Sequence, residues 1–301
     1  MPELLPYKDD RYLWNYLPSL PGALVFVVLF SLVTIAHTWR MIRHRVWFHA
    51  PFVVGCLVEA IGYVGYTIAH WHSNKLVPYI IQSIFLLIAP AFIAASIYMI
   101  LGRLVTRLPS GHRCSIVRPA WLTKLFVLGD VLSLLTQAFG GGMMSKKGSK
   151  GKTGQTVIIV GLAIQIVTFG FFLASAVVFH VRYARLAAAG ARGRKRPDVA
   201  SVVPWQKILW MMYTVSAFIM ARSIFRTVEY IQGKEGYILN HQWMLFVFDS
   251  TLMFCATVLF YVMYHPDDLA CIVPDDSFIE AGTMSSVEMS PSSMEIAMPR
   301  K

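Results

Sequence analysis

The stretch LPGALVFVVLFSLVTIAHTW, residues 20–39, decides the fold class because it contains no Asp, Glu, Lys or Arg. An α-helix needs about 20 mainly apolar residues to cross the hydrocarbon core of a bilayer. Six further stretches of similar length and character follow: 50–69, 78–101, 121–140, 156–179, 205–225 and 243–264. In hydrocarbon each segment must satisfy its own backbone polar groups, so we expect seven helices.

The composition of the whole chain supports a membrane protein. Hydrophobic residues make up 56% of the 301 residues and charged residues 14%, whereas soluble domains carry about 25% charged residues. Mean hydropathy is +0.56. Buried helices of a large soluble protein would need amphipathic partner helices, which this chain lacks. We therefore predict an all-α polytopic membrane protein, a bundle of seven transmembrane helices.

The net charge of +11 could indicate a nucleic-acid partner, but the charges fall in the loops between the spans. Cytosolic loops carry an excess of Lys and Arg. Thirteen of these residues lie in the first, third and fifth loops and six in the other three. We therefore expect the N-terminus outside and the C-terminus in the cytosol. The basic residues are expected to contact anionic lipid, not nucleic acid.

Three regions follow from this pattern. Residues 1–19 are predicted to be a short extracytoplasmic segment, and residues 20–264 the seven-helix domain. Residues 265–301 are rich in acids, Ser, Met and Pro, a composition that favours disorder. We expect a disordered, acidic cytosolic tail.

Three acids, Glu59, Asp130 and Asp249, lie inside predicted spans. An ionised side chain at the bilayer centre costs about 2.5–3.5 kcal/mol on insertion scales, so these acids should face the bundle interior and find partners. Other polar residues near them complete a candidate substrate-binding or cavity set: Gln137, Gln165, Arg222, Arg226 and Glu229. A purely structural role, in which the buried acids latch helices together, remains the alternative.

The segment ARSIFRTVEY, residues 221–230, places Arg222, Arg226 and Glu229 on one helical face. We expect Arg226 and Glu229 to pair, or to reach Asp249 on the next helix, at the outer mouth of a polar cavity. A solvated helix end is the alternative. His37 and His180, near helix ends, are predicted to extend to the membrane interface.

No enzyme, metal site or cofactor is expected. The chain has no HExxH or GxSxG pattern and no nucleotide-binding element.

Several long motifs then occur in a fixed order. They are EAIGYVGY at 59–66, IAPAFIAASIYMILGR at 88–103, FVLGDVLSLLTQAFGGG at 126–142, RSIFRTVEYIQGKEGY at 222–237 and FDSTLMF at 248–254. In these motifs the chain resembles the fungal RTA-like family of lipid-translocating exporters. The resemblance implies a multi-pass protein of the plasma membrane with its N-terminus outside. It also implies resistance-type export of amphipaths: sphingoid long-chain bases, phospholipids, sterol-like drugs or, in one branch, porphyrin.

Two positions depart from the family pattern. The resemblance implies an arginine where Tyr66 stands and a glutamate where Gln242 precedes Trp243. The loss of one charge of each sign predicts either an absent ion pair or an altered substrate.

The leading functional hypothesis is therefore a translocator of lipids or amphipathic molecules. A basic headgroup would suit Glu59, Asp130 or Asp249, and a phosphate would suit Arg222 and Arg226. The alternative is a seven-helix receptor or lipid sensor that signals through its cytosolic loops and tail. That alternative has the right helix count but lacks a DRY-like triplet and an NPxxY motif.

Overall fold

The computed structural model describes Trp14, Tyr16 and residues 18–144, 149–191, 204–233 and 236–263. It contains seven long helices: α1 Leu20–Arg43, α2 Ala50–Trp71, α3 Leu76–Arg107, α4 Pro119–Met144, α5 Ser149–Ala191, α6 Trp205–Gln232 and α7 Gln242–Met263. All seven are long and apolar enough to cross a membrane. The predicted all-α membrane bundle is confirmed.

The helices extend beyond the predicted spans, most of all α5. The apolar window covers residues 156–179, whereas α5 has 43 residues, Ser149–Ala191. At about 1.5 Å per residue this helix is about 64 Å long, roughly twice the hydrocarbon thickness of a bilayer. A hydropathy window ends where polar residues begin, but a helix continues through them as long as their propensity allows.

Consecutive helices pack side by side, α7 closes against α1, and α3 also contacts α6. The close contacts show that neighbours run antiparallel, since Gly55 of α2 approaches Ile93 of α3 and Gly65 approaches Ile81. The starts of α1, α3, α5 and α7 therefore lie at one end of the bundle, which we call the α1 end.

Two close approaches depend on glycine. A Cβ at Gly62 would lie 2.8 Å from Leu86 Cδ2, and one at Gly161 would lie 2.7 Å from Gln137 Cγ. Both distances are shorter than van der Waals contact. The α2–α3 and α4–α5 pairs can therefore approach this closely only because glycine has no side chain. Small residues at helix interfaces let membrane helices approach in this way. The glycines thereby let Leu86 and Gln137 pack directly against the neighbouring helix.

The outer surface of the bundle is apolar, as lipid requires. On α1, Val28, Leu32 and Ile35 are exposed at helical spacing, and they form a face that would contact acyl chains. The predicted acidic tail, residues 265–301, lies outside the described residues, and its disorder remains a prediction. The predicted outer segment, 1–19, is described only at Trp14, Tyr16, Pro18 and Ser19.

Candidate functional site

The eight candidate residues lie inside the bundle, and the structure sorts them into two clusters. All are buried except Arg226, whose side chain is 16% exposed. The ionic cluster contains Glu59, Arg222, Arg226, Glu229 and Asp249, from α2, α6 and α7. The amide cluster contains Asp130, Gln137 and Gln165, from α4 and α5. Among the described residues, no hydrogen bond or ion pair joins one cluster to the other.

Asp249 is the centre of the ionic cluster. Arg226 donates two hydrogen bonds to the Asp249 carboxylate, from Nε to Oδ1 at 3.1 Å and from Nη2 to Oδ2 at 2.8 Å. The remaining Arg226 nitrogen, Nη1, donates to Glu229 Oε2 at 3.1 Å. A bidentate arginine–carboxylate pair is among the stronger polar contacts in proteins. The expected pairing of Arg226 with Glu229 and with Asp249 is confirmed.

Arg222 connects the ionic cluster to α3. Its Nε lies 2.7 Å from Asp249 Oδ1, but the N–H does not point at that oxygen, and Nε has no hydrogen-bond partner among the described residues. We therefore read this contact as an attraction between charges. Its Nη2 donates to the backbone carbonyl of Leu86 at 2.6 Å. Arg222 thus binds a carboxylate and a helix backbone at once.

Pro90 explains why the Leu86 carbonyl is free to accept. In an α-helix the N–H of residue 90 would donate to the carbonyl of residue 86, but proline has no N–H. Pro90 lies inside the continuous helix α3. A carbonyl without a donor is costly in hydrocarbon, and membrane helices tolerate proline where a neighbouring group supplies the bond. Here the neighbouring group is the Arg222 guanidinium.

A π-helical turn in α7, Phe246–Thr251, sets the direction of Asp249. Asp249 and Ser250 are adjacent in the sequence, yet each is 1% exposed. Asp249 meets the arginines of α6, while Ser250 accepts a hydrogen bond from the Tyr63 hydroxyl of α2. Single π turns often occur at functional sites. No hydropathy pattern signals this turn, so the sequence could not predict it.

Glu59 faces the ionic cluster without joining its network. It is 1% exposed and interacts electrostatically with Arg222, Asp249 and Arg226. Within the described part of the chain it forms no ion pair, and its Oε1 has no hydrogen-bond partner. The other two carboxylates, Asp249 and Glu229, already balance the two arginines. Glu59 is therefore the one acid of the cluster whose charge no arginine of the cluster is left to balance.

The amide cluster joins α4 to α5 and α3. The Tyr98 hydroxyl donates to Asp130 Oδ2 at 2.9 Å. Gln137 Nε2 donates to Ser133 Oγ at 2.7 Å and to Gln165 Oε1 at 3.2 Å. Among the described residues, Gln137 Oε1 has no hydrogen-bond partner. Asp130 is 4% exposed, and no cation pairs with it in the residues that the structure describes.

The two departures from the family pattern touch each other at the α1 end. Gln242 Nε2 donates to the Tyr66 hydroxyl at 2.6 Å and to Ser19 Oγ at 2.9 Å. Trp14 packs edge-on against Tyr66, with ring centroids 5.3 Å apart. A neutral hydrogen bond therefore stands where the resemblance implies an arginine and a glutamate. Whether this neutral contact alters the substrate stays a prediction.

Tyr16, which precedes α1, packs against the same group, and we call Trp14, Tyr16, Ser19, Tyr66 and Gln242 the end cap. Burial raises the pKa of the Tyr16 phenol, and its hydrogen bond with Tyr66 opposes the shift. The phenol therefore stays neutral at physiological pH, and the cap adds no charge to this end.

His37 was predicted to extend to the interface, and that prediction is wrong. Its side chain is fully buried, with Nδ1 3.1 Å from His49 Nε2 and Nε2 3.2 Å from the Thr257 carbonyl. The reason is the α1–α2 connection, whose short turn Trp47–His49 folds His49 back against α1. His180 is half-buried between α5 and α6, 3.3 Å from the Tyr213 hydroxyl.

Comparison with known proteins identifies relatives across most of the chain. The family model described as "RTA1 like protein" matches residues 52–270, a range that holds both clusters. Protoporphyrin uptake protein 1 of Saccharomyces cerevisiae is 35% identical over 288 residues, covering 83% of this chain and 91% of the relative. Protein RTA1 of the same yeast is 34% identical, covering 85% and 86%.

A more distant relative carries a name that states a substrate. The sphingoid long-chain base transporter RSB1 of Saccharomyces cerevisiae, strain Lalvin EC1118, is 26% identical over 297 residues, covering 88% of this chain and 76% of the relative. No solved structure matches the chain.

Proposed function

Because this chain belongs to the RTA1-like protein family, we propose that it moves amphipathic molecules with a cationic headgroup across the bilayer. It is an integral, multi-pass membrane protein, and its relatives include a sphingoid long-chain base transporter. A long-chain base combines an ammonium group, hydroxyl groups and one long hydrocarbon chain. It is the substrate class that the polar clusters fit best.

One observation carries the proposal: two carboxyl groups are buried in the bundle without an ion-pair partner among the described residues. Glu59 and Asp130 are 1% and 4% exposed, and neither forms an ion pair within the described residues. Ionisable groups inside a membrane are costly and mark substrate or ion pathways. A substrate ammonium would supply the missing partner.

The other charged groups are already occupied. Asp249 contacts both arginines, and Glu229 contacts Arg226. An ammonium at Asp249 would have to displace a bidentate guanidinium, and a phosphate at Arg222 or Arg226 would have to displace a carboxylate. These contacts favour a structural role for the four residues and favour a cationic over an anionic headgroup.

The amide cluster matches the rest of such a headgroup. Asp130 and Gln137 lie two turns apart on one face of α4, and the free Gln137 Oε1 can accept a hydrogen bond from a substrate hydroxyl. Gln165 and Ser133 hold the Gln137 amide in place. We assign ammonium recognition to Asp130 and hydroxyl recognition to Gln137.

We also propose that the α1 end faces outward and that the protein resides in the plasma membrane. The alternation of the helices brings the α1–α2, α3–α4 and α5–α6 connections to the opposite end. These connections hold the majority of the loop Lys and Arg residues, which supports a cytosolic location for that end.

The test is transbilayer movement of a fluorescent long-chain base in liposomes containing the purified protein. We expect the wild type to move the base faster than its N-acylated analogue, which has no positive charge. Asp130→Asn keeps the size of the side chain and removes its charge, and it should slow movement about tenfold, equivalent to about 1.4 kcal/mol. Tyr98→Phe removes the hydroxyl that donates to Asp130 and should produce a smaller loss.

Three results would contradict the proposal. The first is equal movement of the charged and N-acylated forms, and the second is wild-type movement by folded Asp130→Asn. The third is no movement of any amphipath by folded wild type. In the third case, ligand-dependent recruitment of a cytosolic signalling protein would support the receptor alternative.

A further inference from the structure

Glu59 stands apart from the other buried acids in its charge balance. The ionic cluster contains two arginines and, besides Glu59, two carboxylates, Asp249 and Glu229. The charges of these four groups cancel. An ionised Glu59 would leave the buried cluster with a net negative charge, and a buried charge without compensation is unfavourable.

The hydrogen bonds around Glu59 agree with this count. Its Oε1 is buried and accepts no hydrogen bond from any described residue. The Arg226 nitrogens are directed at Asp249 and Glu229, and Arg222 Nη2 is directed at the Leu86 carbonyl. An ionised carboxylate inside a protein normally accepts several hydrogen bonds. A buried carboxyl group that accepts no hydrogen bond is better accommodated in its neutral, protonated form.

The groups that face Glu59 come from three helices. Cys56 and Tyr63 lie on α2 itself, Arg222 and Arg226 on α6, and Asp249 on α7. Helices α1 and α3 also pack against α2, but among the described residues neither adds a charged group to this set. The buried His37 and His49 interact with each other and with Arg40, toward the opposite end.

We propose that Glu59 is a proton-exchange site, at which the substrate's cation replaces the carboxyl proton. With no substrate bound, Glu59 carries the proton. When a cationic headgroup arrives, the O–H bond breaks, the proton passes to water, and the carboxylate pairs with the cation. When the cation leaves on the other side, the carboxylate takes a proton from that compartment. One proton moves against one cation, without net charge transfer.

Exchange at Glu59 would couple transport to a proton gradient. The inference rests on the proposed function, because it needs a cationic amphipath as the exchanging partner. It assigns coupling to Glu59 and leaves recognition of the headgroup at Asp130 as proposed above. Arg226, whose side chain is 16% exposed, is the least buried member of the cluster.

The test uses a long-chain trimethylammonium amphipath, whose permanent charge means that it carries no transferable proton of its own. The full-length protein is reconstituted in liposomes that contain a pH-sensitive dye, with the membrane potential clamped by potassium and valinomycin. A lumen one pH unit more acidic than the outside should raise the amphipath in the inner leaflet about tenfold, because one proton exchanges for one cation. The dye should report a matching rise in lumenal pH.

Two variants separate coupling from recognition. Glu59→Gln cannot ionise and should lose both the accumulation and the pH change. Asp130→Asn is the matched control, also a buried acid converted to its amide, and it should move the amphipath more slowly with the same proton-to-amphipath ratio. Empty liposomes set the background.

The outcomes distinguish this inference from the proposed function. Movement of the amphipath by wild type without any response to the pH gradient would overturn proton exchange and leave the proposed function intact. So would an unchanged gradient response in Glu59→Gln. No movement by folded wild type would contradict the proposed function itself.

Stability supplies a second readout. If Glu59 is neutral at rest, Glu59→Gln should unfold at the same denaturant midpoint as wild type. Asp249→Asn should unfold earlier, since it removes a charge that two arginines need. An early midpoint or failure to fold in Glu59→Gln would refute the neutral resting state.

Discussion

The hydrogen bond from Arg222 to the Leu86 carbonyl gives the sharpest prediction. The proline that leaves this carbonyl without a helical donor, Pro90, can be replaced without changing Arg222. Pro90 withholds the N–H that would bind this carbonyl, and Arg222 Nη2 supplies the bond at 2.6 Å. Arg222→Met should therefore leave a buried carbonyl without a donor, in addition to weakening the ion pair with Asp249. Pro90→Ala restores the missing N–H and should compensate for the first loss but not for the second.

The size of the compensation follows from the geometry. Leaving a buried acceptor unsatisfied costs about 1–3 kcal/mol, while interhelical hydrogen bonds in membranes reach about 1.7 kcal/mol at most in double-mutant cycles. The bond here is short and its donor is charged, so we expect the upper part of that range. The predicted coupling between Pro90→Ala and Arg222→Met is about 1.5 kcal/mol, roughly a twelvefold change in the unfolding equilibrium.

The assay is reversible unfolding of four purified proteins in mixed micelles, followed by helical circular dichroism. The proteins are the wild type, each single variant and the double variant. A matched cycle uses Arg226→Met with Pro90→Ala, since Arg226 contacts Asp249 and Glu229 and donates no hydrogen bond to Leu86. That cycle should be additive. Additive behaviour in the Arg222 cycle would refute the reasoning, because Arg222 would then not be the donor that replaces the proline.

Two further predictions concern the end cap and the α4–α5 interface. Tyr66→Arg and Gln242→Glu should each lower the unfolding midpoint, because each buries a charge without its partner. The double variant should recover most of the loss, since the two side chains are in contact. Two independent losses would contradict this pairing. Gly161→Ala should destabilise the chain by about 1–3 kcal/mol through overpacking, because its Cβ would lie 2.7 Å from Gln137 Cγ. Gly142→Ala is the control: a Cβ there meets nothing within 4 Å, so the substitution should stabilise the helix by about 0.5–1 kcal/mol, and equal effects at both positions would refute the packing argument.

The sequence predicted the seven helices because apolar length is a local property of a membrane span. It also predicted the pairing around Arg226, since residues three apart on a helix are neighbours and a buried acid on the next helix needs a cation. The ends of α5 were missed because helix propensity, unlike hydropathy, does not change sharply at the membrane surface. His37 was misplaced because its burial depends on a tight turn that folds His49 against it.

The division of the candidate residues into two clusters was also beyond the sequence. Whether Asp130 meets Arg222 or Tyr98 depends on how the helices are arranged around α3, and no local pattern encodes that arrangement. The same holds for the Leu86 carbonyl, whose partner lies 136 residues away. Proline at position 90 could have indicated that some donor was needed, but not which residue would supply it.

This separation along the chain has a consequence for biogenesis. At about 5–20 residues per second, the ribosome needs on the order of ten seconds to reach Arg222 after it has made Leu86. During that interval α3 must reside in the translocon or the bilayer with an unsatisfied carbonyl. Arg222 and Arg226 then enter before Asp249 has been synthesised. The last helix thus neutralises charges already committed to the membrane, and a nascent chain that lacks α7 would expose them to the quality-control machinery that removes unassembled proteins.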